Sequence, residues 1–221
     1  MIIFLFCIIL THQSSVSDML LAFASMATTL LFLTRLMCGS WEFLKSSYGV
    51  ILLLPDLTPN LGLWWYFFIQ MFDSFRNFFL VVFQLHLVLY VAPVMIKLRQ
   101  SPLYAFIIIT GLIGIFKSYP SVSDLGLFTS LLIVHRKVLA HMRYMFMTLS
   151  TLLFTTFLAP TFFHLWIYAG SGNANFFYAI TLVYVLAHTI LVTDSLYAML
   201  RLQWEETEHP DLKSGSVIQV Y

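Results

Sequence analysis

From Leu61 to Ile96 the chain is apolar almost without interruption. A straight helix through that run would be about 54 Å long, against a bilayer hydrocarbon core of about 30 Å. Such a segment must tilt, break or protrude. DSFRN at 73–77 marks the expected break, with Asp73 and Arg76 three residues apart and able to pair. Composition places the rest of the chain in the same solvent. Of its 221 residues 60% are hydrophobic and 10% charged, against roughly 45–50% and about 25% in an average soluble domain. That is apolar material for about six membrane spans, and it excludes a water-soluble enzyme, a disordered chain and a nucleic-acid-binding domain. A net charge of +1 offers nothing to a polyanion. The expected fold is an all-α, polytopic transmembrane helical bundle.

Spans are expected near 18–37, 61–96, 102–119, 125–142, 144–168 and 176–200, within a multi-spanning domain 1–201 followed by a polar tail, 202–221. The fourth is the weakest, because His135, Arg136 and Lys137 cut its apolar run short. The first ten residues, MIIFLFCIIL, are too short to cross and carry no basic n-region, so they read as the end of a longer helix. Residues 38–60 mix aromatic, charged and turn residues and are expected to lie at the interface. Placing the tail in the cytosol puts seven basic residues on that side, among them Lys97, Arg99 and Arg143, against Arg35, Lys45 and Lys117 on the other.

Polar residues inside a membrane face a protein interior or a water-filled cavity. On a single helix from Leu61 to Ile96, Tyr66, Gln70, Asp73, Asn77 and Gln84 would share one face. That stripe reads either as a groove for a polar headgroup or partner helix, or as hydrogen-bonding glue within the chain. Thr181, Tyr184, His188 and Ser195 form a second stripe, in which His188 reads as a packing histidine rather than a proton relay. The most informative loop is HLWIYAGSGNANFFYAI, 164–180. Gly170, Ser171 and Gly172 end one helix, and Asn173 and Asn175 stand where the next begins. The free N–H groups of that helix end and the two carboxamides suit phosphate or sugar hydroxyls, with Trp166 and Tyr168 as an interfacial shelf. The plainer alternative is that one asparagine simply caps the helix. In FKSYPSVSD, 116–124, Pro120 stops one helix, Asp124 starts another, and Lys117 is placed to pair with Asp124.

Catalytic constellations are missing. The seven histidines are scattered, the closest pair being His135 and His141, and no metal box is formed. Cys7 and Cys38 lack metal spacing and read as buried free thiols. A lipid-sugar transferase would need an acidic base near a lumenal helix end, for which only Asp56, Asp73 and Asp124 are placed. No cofactor or metal is expected, and the chain reads as noncatalytic.

The phrases PDLTPNLGLWWYFF (55–68), FKSYPSVSD (116–124) and HLWIYAGSGNANFFYAI (164–180), in that order, resemble the C-terminal half of the PIG-U family, the multi-spanning subunit of the glycosylphosphatidylinositol (GPI) transamidase of the endoplasmic reticulum. The likeness runs from about residue 38 to 201. It implies half of a membrane fold similar to GT-C glycosyltransferases, and a noncatalytic subunit that presents the GPI lipid while cysteine-protease chemistry resides in PIG-K. The implied partners are PIG-K, PIG-T, PIG-S and a GPAA-type subunit, with the GPI lipid and the membrane itself. The family's GPI-contacting asparagines match Asn173 and Asn175. With them the expected lipid-binding set is Trp166, Tyr168, Asp73 and Asn77. The family's members are longer, so the chain is expected to be part of a larger fold. A glycosyltransferase of GPI assembly is the competing enzymatic reading, and a lipid transporter or scramblase a third.

Overall fold

The computed structural model describes residues 16–208. The stretch 1–10, Cys7 and the end of the polar tail lie outside the described residues. Among the described residues the regular structure is helical, and four helical rods are long and apolar enough to cross a membrane.

Helix α1 (Val16–Cys38) is carried by the helix formers MLLA at 19–22, just after its start, and none of its described side chains from Leu21 onward is buried. Cys38, at its end, is exposed, which corrects the expectation of a buried thiol: the helix has no packing partner there to cover it. A short turn of helix, α2 (Glu42–Leu44), passes through a π-helical segment, Lys45–Gly49, into α3 (Val50–Leu53). Leu54 then reverses the chain in a left-handed conformation (φ 48°) while buried to 1% exposure.

The long apolar run is broken. Helix α4 (Trp64–Gln70) ends at Met71, whose backbone is extended, and α5 (Asp73–Leu89) starts after Phe72, also extended. The break falls just ahead of DSFRN rather than within it. Arg76 does not pair with Asp73: its Nη2 donates to the Leu54 carbonyl at 2.6 Å. A helix end leaves its last carbonyls without partners, and α3 ends beneath α5. Gln84 accordingly donates to the carbonyls of Ile51 (2.9 Å) and Leu52 (3.2 Å), and Ser118 donates to Ile51 at 3.0 Å. Breaking the run also destroys the common phase of its polar stripe, and Gln84 serves as internal glue. Helix α6 (Val91–Lys97) continues α5 through Tyr90, which keeps helical angles. Pro93 has no N–H to give the Leu89 carbonyl, which accounts for the interruption.

Helices α7 (Pro102–Phe116) and α8 (Val122–Ile133) form a hairpin. At about 22 and 18 Å both fall short of the hydrocarbon thickness, so the expected spans 102–119 and 125–142 are not spans by length. Four rods, not six, qualify among the described residues. The basic triplet at 135–137 is the cause for α8: the chain leaves the helix after Ile133 and makes only the short α9 (Arg136–Leu139). Helix α7 is the centre of the bundle, with Tyr104, Ile107, Ile108, Ile109 and Ile115 all nearly inaccessible. Its Tyr104 hydroxyl donates to the Ser195 carbonyl at 3.0 Å.

Helices α10 (Met145–Ile167) and α11 (Ala174–Glu208) pack along each other as the last hairpin. Asp194 caps α10 from across the interface, accepting N–H bonds from Arg143 (3.0 Å) and Tyr144 (2.9 Å). Helix α11 runs past residue 200 because its polar end is held. Arg201 bridges Glu205 at 2.8 Å, Glu205 meets His141 at 3.1 Å, and Gln203 donates to Ser101 at 3.0 Å. The second polar stripe lies inside the protein: Thr181, Tyr184, His188 and Ser195 are all buried. His188 packs beside Phe128 and Tyr184, but its Nε2 is buried without a hydrogen-bond partner, so the expected satisfied packing histidine is packed and not satisfied.

Candidate functional site

The three conspicuous segments of the sequence meet at one end of the bundle. The first two are joined loop to loop. Asp56 makes an Asx turn with the Thr58 N–H (2.9 Å), and these bonds hold its carboxyl below the usual carboxylate range. The Tyr119 hydroxyl donates to the Asp56 carbonyl at 2.8 Å. Gly62 lies so close to Pro120 that a Cβ there would stand 2.6 Å from the proline ring, so this contact needs glycine. On the other side of the contact, Ser121 and Asp124 form a capping box for α8, and Lys117 pairs with Asp124 at 2.7 Å, as expected.

The first segment also reaches the third. Trp65, 1% exposed, is the hub of an aromatic cluster. It stacks on Trp166 (centroids 6.1 Å apart), lies tilted against Phe177 at 5.9 Å, and meets Tyr178 edge-on at 5.8 Å. Beside it Tyr66 stacks on Tyr178 at 4.2 Å. Offset and edge-on pairs of this kind each add about 0.5–1.5 kcal/mol beyond area burial, which makes the cluster a rigid floor.

The asparagines stand on that floor. Helix α10 closes with the Leu165 carbonyl accepting from both Ser171 and Gly172 at 3.0 Å, and Gly170 takes the positive φ (63°) that such a terminus favours. Asn173 then caps α11: its Oδ1 accepts from the N–H groups of Asn175 (3.0 Å) and Phe176 (3.3 Å). The Oδ1 of Asn175 accepts from the Tyr66 hydroxyl. Both asparagines are exposed, and with each oxygen engaged their NH2 groups remain as donors directed away from the helix end. Capping thus occupies one half of the Asn173 carboxamide and leaves the other half as a donor.

Of the other expected site residues, Trp166 joins the floor, and Tyr168 is exposed and stacks on His164 at 5.5 Å. Asp73 and Asn77 are exposed on α5 and carry no side-chain hydrogen bond to the asparagines. From that first stripe it is Tyr66 that reaches the asparagine loop. Sequence reasoning missed Trp65 and the Tyr66 link, because their partners Trp166 and Asn175 lie a hundred or more residues away in the chain.

Below the floor, between α10 and α11, lies an apolar cavity of about 350 Å3 lined by Leu61, Val122, Ala159, Phe163, Phe177 and Tyr184, among others. The Tyr184 hydroxyl is buried in its wall without a hydrogen-bond partner. Among the described residues no three His, Cys, Asp or Glu side chains converge as metal ligands.

Comparison with known proteins identifies the family. The family model described as GPI transamidase subunit PIG-U matches residues 2–184, so the likeness begins well ahead of residue 38. The chain is 42% identical over 172 residues to the GPI-anchor transamidase component PIGU of Mus musculus, covering 78% of this chain and 40% of the mouse protein. The human component gives the same figures. The GPI transamidase component GAB1 of Saccharomyces cerevisiae is 44% identical over 166 residues, 75% of this chain and 42% of the yeast protein. The chain therefore spans about two fifths of the length of these curated relatives.

Proposed function

Since the chain belongs to the PIG-U family of GPI transamidase subunits, we propose that it binds the GPI lipid at the asparagine end of the bundle and presents it for attachment to proteins, itself making no covalent bond. The observation that carries this reading is the pair of exposed carboxamides whose oxygens are occupied by the helix end and by Tyr66, leaving NH2 donors above an aromatic floor. Donors at a helix N-terminus suit a phosphate or sugar hydroxyl. The apolar cavity beneath them suits a chain of the same lipid, and the unpartnered Tyr184 hydroxyl offers its ester a donor.

In this reading the chain is a multi-pass protein of the endoplasmic reticulum membrane that works with PIG-K, PIG-T, PIG-S and a GPAA-type subunit. Its C-terminus faces the cytosol and its asparagine end the lumen. The α7–α8 hairpin supports that orientation. It starts at Ser101 and returns at His135 to the same end of the bundle, where His135 packs on Tyr104. Losing those two spans therefore leaves the side of the C-terminus unchanged.

The test separates capping from binding. Asn173→Asp and Asn175→Asp keep an oxygen for the helix and for Tyr66 but remove the NH2 donors and add a charge that repels phosphate. In a full-length context the double variant is expected to assemble normally and to lower surface GPI-anchored protein at least several-fold, with complete GPI accumulating. Normal anchoring by an assembled double variant would refute the site.

A further inference from the structure

The opposite end of the bundle carries a second site. Helices α6 and α11 end side by side there and enclose a groove of about 960 Å3. Its lining combines apolar side chains, among them Ile96 and Leu200, with Lys97, Arg99, Gln203 and Trp204. No acidic residue lines it, and neither Lys97 nor Arg99 belongs to an ion pair among the described residues. By contrast Arg201, one turn away on α11, is held by Glu205. The wall is fixed in place, because Gln203 donates to Ser101 at 3.0 Å and so ties α11 to the start of α7.

The groove thus sets apolar and cationic side chains side by side at the point where two membrane rods end. Trp204 in its lining is exposed, as an indole at a membrane interface is. Two unpaired cations beside apolar side chains complement one kind of molecule: an anion that carries hydrocarbon. The volume sits near the top of the roughly 300–1,000 Å3 typical of small-ligand sites, more than a bare phosphate fills.

We propose that this groove is a binding site for an anionic glycerophospholipid of the adjacent leaflet, with its phosphate against Lys97 and Arg99 and the start of its chains along Ile96 and Leu200. The site is separate from the asparagine end and independent of what binds there. Basic residues at a membrane surface each strengthen binding of anionic lipid about fivefold.

The test uses the 221-residue chain in neutral detergent, offered equal amounts of phosphatidylserine and phosphatidylcholine with identical acyl chains, with bound lipid counted by native mass spectrometry. Several-fold preference for phosphatidylserine is expected. The Lys97→Gln, Arg99→Gln double variant should retain the two lipids about equally, whereas Arg136→Gln with Lys137→Gln, which also removes two charges but lies outside the groove, should keep the preference. Equal retention of both lipids by the parent chain overturns the proposal, as does an unchanged preference in the groove variant or an equal loss in the control variant. Retention of neither lipid, expected if a polypeptide segment fills the groove, overturns it too.

Discussion

The hydroxyl of Tyr66 donates to the Oδ1 of Asn175, joining two segments more than a hundred residues apart in sequence. That bond sets which half of the Asn175 carboxamide points outward. Tyr66→Phe keeps the stack on Tyr178 and removes only the donor. It is expected to cost about 0.5–1.5 kcal/mol in thermal unfolding of the purified chain, and to lower surface GPI-anchored protein in a full-length context. Unchanged anchoring would mean that the orientation of Asn175 does not matter.

Asn173 is predicted to have two separable effects. Asn173→Ala removes the α11 cap and should destabilise the chain by about 0.5–2 kcal/mol. Asn173→Asp retains the cap oxygen and should leave the melting temperature close to that of the parent while still impairing anchoring. Equal loss of stability in both variants would show that the cap assignment is wrong.

Tyr184 buries a hydroxyl that has no partner in the protein. An unpaired buried polar group costs about 1–3 kcal/mol, so Tyr184→Phe should be neutral or stabilising in lipid-free detergent. If the cavity holds a lipid chain, the stabilisation that added GPI lipid gives the parent should shrink in the variant. A variant that melts well below the parent without lipid would reveal a bond to the hydroxyl that the structure does not contain.

Gly62 has no room for a side chain against Pro120. Gly62→Ala should force the 55–62 loop off the α7–α8 turn at a cost of about 1–3 kcal/mol, read as a lower melting temperature and faster proteolysis of that loop. A Gly62→Ala chain as stable as the parent would mean that the two loops slide apart freely.

Asp56 gives a pH signature of known sign. Its carboxyl is held below the ordinary value by the Thr58 bonds, so its contribution is present above about pH 4 and is lost as pH falls through the lowered folded value. Asp56→Asn keeps the turn's acceptor without the titration. Loop opening should therefore differ between parent and variant at neutral pH, where the ionised carboxylate contributes, and the two should converge as pH falls below about 4; a difference that persists unchanged in acid would locate the effect elsewhere.

Much of the asparagine end was legible in the sequence because local chemistry determines it. The glycine terminus, the asparagine cap and the helix start at Asp124 with its Lys117 pair each depend on residues within a few positions of one another, and all formed as read. Span counting failed for α7 because hydropathy measures how apolar a helix is, not what covers it, and for α8 because the helix stops short of the basic triplet at 135–137. Helix α7 is strongly apolar and is a core helix. The polar stripe on the long run failed for a different reason. Helical phase carries across a segment only while the hydrogen-bond ladder is intact, and two extended residues, Met71 and Phe72, reset it. Trp65, Tyr66 and the Leu54 cap were invisible because their partners lie far away in sequence.

The short hairpin has a consequence for the membrane around it. Helix α8 exposes Leu127, Ile133 and Val134 along a helix of only about 18 Å, and its turn carries Lys117, Ser118 and Asp124, groups that hydrocarbon does not solvate. A bilayer meeting so short an apolar strip thins toward it, at fractions of a kcal/mol per Å of mismatch. The lipid beside α8 is then already pulled partway toward water before any protein group touches it. If the asparagine end holds a lipid by its headgroup, as proposed, this mismatch reduces the work of lifting that lipid from its leaflet.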